Sequence, residues 1–161
     1  MTAFSDPIAF FFTIVTYGTW LPGDQRGWIE YQNGWQLPDQ VRELEAAAEM
    51  AEDACVLSQN QRKQVETQIQ ETCVHRNWKM HAANCRTNHM HFAIGAHDES
   101  PKKIRSDVKA WCTRRLKSQS NQNRENWWAD RGSIRWIFTE DELDRVIQYI
   151  NEAQDRKQMG S

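Results

Sequence analysis

The stretch Asn88-His89-Met90-His91-Phe92-Ala93-Ile94-Gly95 constrains this chain more than any other. In a β-strand successive side chains alternate between the two faces of a sheet. His89 and His91 therefore point the same way, about 7 Å apart along the strand, while Met90, Phe92 and Ile94 point the other way. A strand of this kind packs one face into a core and presents two imidazoles on the other. That is a rigid base for a metal ion, although an amphipathic strand whose exposed positions happen to be histidine has the same pattern.

The chain has 161 residues, 39% of them apolar and 26% charged, with no apolar run near bilayer length. These values describe a soluble globular domain spanning residues 1–161, with a core of its own. The start Met1-Thr2-Ala3-Phe4-Ser5-Asp6 has no basic region of the signal-peptide kind, so the expected location is cytoplasmic and no membrane partner is expected. Cys55, Cys73, Cys85 and Cys112 form no CxxC pair, which argues against a zinc ribbon and a disulfide framework. A structural zinc site drawn from Cys73, His75, His81, Cys85, His89 and His91 is the other metal reading, but it lacks a standard ligand spacing.

Apolar periodicity places the elements. Residues 8–17, rich in β-branched and aromatic side chains, read as a buried first strand. Residues 18–28, with three glycines and a proline, read as loop, and residues 31–38 stay irregular. An acidic, Ala-rich helix is expected over 39–58, so an insertion of about residues 25–58 separates the first strand from the rest. A helix over 59–74 carries the inner stripe Val65, Ile69 and Cys73, and Asn77 ends it. In the strand over 78–86, Trp78, Met80, Ala82 and Asn84 share one face and Lys79, His81, Ala83 and Cys85 the other. A turn at Thr87-Asn88 joins it to the histidine strand as a hairpin.

Residues 102–117 form a helix with the stripe Ile104, Val108, Cys112 and Leu116, followed by a polar loop over 118–126 and a strand over 134–138. Thr139 and Glu142 form a capping box that opens the last helix, whose buried face is Leu143, Val146, Ile147 and Ile150. The order is α+β, a ferredoxin-like β-α-β-β-α-β sheet with its helices on one face, an inserted helical segment after the first strand and an extra C-terminal helix.

The net charge of −2 is uninformative, but its distribution is not. Residues 37–57 hold six acids and one arginine, whereas residues 102–136 hold ten lysines or arginines against three acids. Lys102, Lys103, Arg105, Lys109, Arg114 and Arg115 offer phosphate contacts, and Trp127, Trp128, Arg131, Arg135 and Trp136 mix planar stacking groups with guanidinium. Tyr149 lies on the flank of the last helix's apolar stripe, where its hydroxyl can reach the sheet surface. A phenol so placed is either a packing residue with a wet tip or a covalent nucleophile.

An HxH strand in a ferredoxin-like sheet, followed some sixty residues later by the helical Tyr149-Ile150-Asn151-Glu152-Ala153-Gln154, resembles the HUH single-tyrosine transposases of small bacterial insertion sequences. The REP-associated tyrosine transposases are the nearest branch. The likeness extends to Thr16-Tyr17-Gly18-Thr19-Trp20-Leu21-Pro22-Gly23-Asp24, Lys109-Ala110-Trp111-Cys112-Thr113-Arg114 and Gly132-Ser133-Ile134-Arg135. It implies that His89 and His91 bind Mg²⁺ or Mn²⁺. It also implies that Tyr149 attacks a phosphate of hairpin-bearing single-stranded DNA, leaving a 5′-phosphotyrosine and a free 3′-OH. Two imidazoles suit Mn²⁺ better than Mg²⁺ at equal concentration.

In relatives an amide one turn after the tyrosine completes the metal site, but here that position is Ala153. The resemblance then favours Gln154, and ideal helical geometry favours Glu152. Relatives include monomers and dimers that share active sites, so a homodimer stays open. The competing function is a non-catalytic single-stranded nucleic-acid-binding module of the same fold. It lacks the pair of aromatic residues on adjacent central strands that RNA-binding sheets use.

Overall fold

A computed structural model of the chain describes residues 6–95, 98–119 and 122–153. The first strand, β1 (Ala9–Val15), is followed by β2 (Trp28–Glu30), β3 (Gly34–Gln36), α1 (Gln40–Ala48) and α2 (Gln59–Arg76). Then come β4 (Lys79–Cys85), β5 (His89–Gly95), α3 (Pro101–Gln119), β6 (Ser133–Ile137) and α4 (Glu140–Gln148). A π-helical turn, Tyr149–Ala153, continues α4.

The main sheet has the order β4-β5-β1-β6, antiparallel throughout. This is the ferredoxin-like order expected from the sequence. Its central strands keep their two faces distinct. Phe10, Phe12 and Ile14 of β1 and Met90, Phe92 and Ile94 of β5 pack with Val65, Ile69 and Cys73 of α2 and with Ile104, Val108, Cys112 and Leu116 of α3. On the opposite face Ala9, Ala82, Ala93 and Ile137 form a second, smaller core with Leu143, Val146 and Ile150 of α4. The helices of the β-α-β-β-α-β unit thus lie on one face, and the added C-terminal helix covers part of the other.

Ser58 and Gln61 form the capping box of α2, and Asn77 ends that helix in the left-handed conformation, where its short polar side chain is tolerated. At α4 the expected box is half made. Thr139 accepts from Glu142 N–H, but the Glu142 carboxylate turns to Phe138 N–H and Arg135 instead of the cap's own N–H.

Three expectations are corrected. Residues 31–38 are not wholly irregular, because β2 and β3 form a small hairpin. The inserted helix stops at Ala48 rather than 58. The chain beyond it is drawn out along the end of the sheet, where Ala51 N–H donates to Tyr17 Oη, Cys55 N–H to Tyr17 O and Leu57 N–H to Thr87 O. In β4 a bulge between Met80 and Ala82 breaks the alternation: Met80 pairs with Ile94, but Ala82 pairs with Ala93 and Ala83 with Phe92. An extra residue in one strand shifts every later side chain to the other face, so Met80 packs on the same core as Ala83 and Cys85, and Asn84 comes to lie opposite His91.

All four cysteines are free and buried. Burial pushes the Cys73 thiol up to about 12 and the Cys85 thiol well above its ordinary value, as expected of packing residues. Among the described residues no helix is long and apolar enough to cross a membrane.

Trp127 is the clearest revision of an expected surface residue. It is 2% exposed and belongs to the main core, because Tyr17 N–H donates to Trp127 O and Ala129 N–H to Val15 O, drawing this segment against the end of β1. Its ring is not offered to a ligand. Trp127→Ala should therefore cost ~3–5 kcal/mol in denaturant unfolding, as for other buried aromatic truncations. Trp136→Ala, at a residue 50% exposed, should cost less than about 1 kcal/mol.

Candidate active site on the open sheet face

The face that β1 and β5 turn away from the main core carries the candidate site. Thr13 lies opposite His91 in the ladder, and its hydroxyl is 2.9 Å from His91 Nδ1. His89 donates from Nδ1 to Asn88 Oδ1 at 2.7 Å, so the lone pair of its neutral ring resides on Nε2. The two imidazole centroids are 4.8 Å apart. Each ring is oriented by a hydrogen bond at Nδ1, which is how metal-ligating histidines are commonly held. Neither Thr13 nor Asn88 stands out as functional from composition. Asn88 beside His89 was the one legible signal, whereas Thr13 depends on a register that only the folded sheet defines.

Tyr149 reaches the same face from the opposite end of the chain. Its ring centroid is 5.5 Å from that of His91 and 6.1 Å from that of Phe11, which itself sits 5.4 Å from His91. His91 is 6% exposed and Tyr149 38%, so the imidazole is enclosed while the phenol is accessible. Ile150, the next residue, is fully buried in the second core and fixes the backbone beneath the tyrosine.

Glu152, one expected metal ligand, is exposed, and its carboxylate accepts from Gln148 Nε2 at 3.1 Å. Among the described residues no three of His, Cys, Asp and Glu come together as a metal-holding group. Glu152 is therefore not gathered with His89 and His91, and the structural zinc cluster does not form. Gln154, the other expected ligand, lies outside the described residues.

The expected nucleic-acid contacts divide by their partners. Lys102 and Lys103 are exposed at the start of α3, and Arg114 lies 4.5 Å over the Trp111 ring. Arg115, by contrast, ties α3 to α2 through Gln64, Gln68 and Glu71. Arg105 donates to Gly132 O, and Lys109 to the carbonyls of Ala129 and Arg131. These two fasten α3 to the loop before β6. Burial, and then the charge of Arg105, lower the pKa of Lys109. Gly132 is required in that loop: its φ is +116°, and a Cβ there would sit 2.9 Å from Thr13 O. Trp128 is half-buried, with Nε1 donating to Thr113, and Trp136 packs its edge against Phe10. Arg131 stacks 3.7 Å over Tyr31, linking the β2–β3 hairpin to the loop before β6.

Arg135 alone among the expected arginines borders the site. Its Nη2 donates to Glu142 Oε2 at 2.8 Å beside a cleft of about 280 Å³ that His91 and Tyr149 also line. Arg145, which the sequence did not single out, and Glu142, expected only as a capping residue, line the same cleft.

The model of the IS200-like transposase family matches residues 51–154. No curated protein matches the sequence. Among solved structures, the chain is similar to a REP-associated tyrosine transposase bound to a REP hairpin, with 13% identity, a TM-score of 0.52, and coverage of 96% of this chain and 73% of that one. It is also similar to a crystal structure named for a transposase of Deinococcus radiodurans R1, with 11% identity, a TM-score of 0.49, and coverage of 94% of each chain.

The ion pair beside the cleft should be visible in the pH dependence of stability. The Arg135 guanidinium, with Phe138 N–H, holds the Glu142 carboxyl below the ordinary carboxylate range. A depressed carboxyl contributes stability that is present above its unfolded value, about 4.3, and is lost as pH falls through the folded one. The stability difference between the parent and Glu142→Gln should therefore be constant above about pH 5.5 and shrink as the solution is acidified, as followed by urea unfolding.

Proposed function

We propose, for a chain that belongs to the family of IS200-like transposases, that it cuts and rejoins single-stranded DNA through Tyr149. The observation that carries the reading is the approach of the Tyr149 ring to 5.5 Å from His91, on the same sheet face as His89, although the two segments are far apart in sequence.

Tyr149 Oη attacks the scissile phosphorus, the P–O3′ bond breaks, and the strand leaves with a free 3′-OH that takes up the proton the phenol releases. The phosphoryl group stays on the tyrosine as a 5′-phosphotyrosine. Attack by a 3′-OH on that ester reverses the step, so one residue serves both cleavage and rejoining. The fixed backbone at Ile150 and the accessible phenol suit a nucleophile that must meet phosphorus in line.

His89 and His91 would hold a divalent ion, Mg²⁺ or Mn²⁺, through Nε2, and when bound that ion offsets charge developing on the phosphoryl oxygens. Their chemistry fits this group, since both rings are oriented through Nδ1. Gln154 would be the third ligand. It stands five residues after Tyr149 in sequence, the hydrogen-bond period of a π turn, and Tyr149–Ala153 is such a turn.

The substrate we propose is a single strand bearing a hairpin, because the REP-associated transposase of similar fold is bound to a REP hairpin. Lys102, Lys103 and Arg114 would contact its phosphates. Tyr149 and His91 meet within one subunit, which supports assembly of the proposed site in cis, and a homodimer stays an open alternative.

Two measurements test this. With hairpin-bearing single-stranded DNA and Mn²⁺, the parent protein should give a covalent adduct on a denaturing gel and Tyr149→Phe none. An adduct that survives in Tyr149→Phe would remove the tyrosine from its role, and an adduct-free but DNA-binding parent would favour a non-catalytic binding module. Thr13→Val, which deletes the hydrogen bond to His91, should weaken Mn²⁺ binding roughly 10–100-fold by calorimetric titration.

A further inference from the structure

The cleft beside Tyr149 has a charge and lining that the proposed cleavage step does not use. It holds about 280 Å³ between β6 and α4, room for roughly nine waters at ~30 Å³ each. That admits a phosphate with part of its sugar, not a duplex. One wall is aromatic, with Phe11 and Tyr149, and His91 borders it. The other is lined by Arg135, Arg145 and Glu142, with Arg135 Nη2 on Glu142 Oε2 and the charge of Arg145 also acting on that carboxylate.

We infer that this cleft is a phosphodiester pocket, in which Arg135 and Arg145 hold a backbone phosphate adjacent to the one that is cut, while Glu142 fixes Arg135 in place. The inference rests on the reading of Tyr149 as nucleophile and adds the residues that set the strand against it.

Charge balance favours a single phosphate. Two guanidinium groups and one carboxylate leave one positive charge, equal and opposite to a phosphodiester. Glu142 engages Nη2 of Arg135 and accepts from Phe138 N–H with its other oxygen. Both carboxylate oxygens are thereby committed to protein groups, and the arginine is held at the cleft before any ligand arrives. A guanidinium carries five N–H donors in a planar fork, so the bond to Glu142 leaves donors suited to phosphate oxygens.

The position of the cleft identifies which phosphate. Phosphates recur on the order of 3.4 Å apart along the axis of a stacked strand, and further apart when it is extended. A strand with its scissile phosphate at Tyr149 therefore brings a neighbouring one to the cleft that Tyr149 itself lines. Arg135 lies directly across the ladder from Phe11, whose ring touches both His91 and Tyr149, so the pocket is built on the same strands as the site.

The test uses the full chain and a hairpin-bearing single strand selected from a pool by the parent protein. Affinities are measured by anisotropy in a Tyr149→Phe background, so that binding is read apart from cleavage. The phosphates around the cleavage position are replaced one at a time by neutral methylphosphonates. One linkage should weaken binding about tenfold, the order of effect of one charge-assisted hydrogen bond.

Arg145→Ala should weaken binding of the unmodified strand to a similar extent and abolish the sensitivity of that same linkage, a non-additivity expected only of groups in contact. Arg135→Ala should do the same and Arg135→Lys should recover part of the loss. Arg145 is exposed, so its variant keeps the fold even if loss of the Arg135 ion pair lowers the melting temperature. Methylphosphonate sensitivities that stay unchanged in both alanine variants overturn the pocket. A normal scan with no adduct in the Tyr149-intact protein leaves the pocket standing and overturns the nucleophile, and a pool from which nothing is retained overturns both.

Discussion

The pairing of β1 with β5 is the constraint on which the rest of the site depends. Phe12 stands opposite Phe92 and Thr13 opposite His91, so apolar and polar side chains alternate in step on the two central strands. A slip of one residue would send both histidines into the main core and bring Met90, Phe92 and Ile94 onto the open face. Those three side chains are fully buried, each contributing ~1.5–3 kcal/mol on transfer from water. The core thereby enforces the register, and the register sets Thr13 against His91 Nδ1. Packing on one face determines imidazole orientation on the other.

Where side chains differed strongly in polarity, the sequence was legible. The stripes of α2, α3 and α4 and the alternation of β5 are all found in the structure, because Val65, Ile104 or Phe92 in water would be costly and Lys102 or Glu71 in the core more so. Where side chains were small or ambiguous the pattern carried little information. Ala82 and Ala83 suit either face of a strand, so nothing in the sequence marked the bulge that parts them. The inserted helix looked continuous to residue 58 because Ala, Glu and Met favour helix. Backbone bonds to Tyr17 and Thr87 overrode that preference, and such tertiary partners cannot be read locally. Trp127 follows the polar run that ends at Asn126 and Trp136 stands between Arg135 and Ile137 in a strand, yet the first is core and the second half exposed.

The basic stretch from Lys102 to Trp136 shows how charge along a sequence differs from charge available to a partner. Arg115 binds α2, while Arg105 and Lys109 bind the carbonyls of the loop that leads into β6. Guanidinium and ammonium groups are well suited to such orphan carbonyls, and the desolvation that lowers the pKa of Lys109 is the cost of that use. Of the six expected phosphate contacts on α3, the exposed ones are Lys102, Lys103 and Arg114, a smaller footprint than the ten-to-three ratio of the sequence implied.

The last helix combines a fixed main chain with an open side chain at Tyr149, the two features that its proposed role as nucleophile requires. Leu143, Val146 and Ile150 anchor α4 on the second core, and Ile150 follows Tyr149 directly. At that point the α-helix gives way to a π turn, a form that is rare and frequent at functional sites. In a regular α-helix residues three and four apart share a face, which would set Glu152 and Ala153 beside the tyrosine. The wider π period of about 4.4 residues rotates later positions relative to Tyr149 while Ile150 keeps its place in the core. The change of helical period begins at the residue whose ring meets His91 edge-on at 5.5 Å, and the same turn carries Ile150 into the second core, so one irregular turn serves both the candidate site and the packing beneath it.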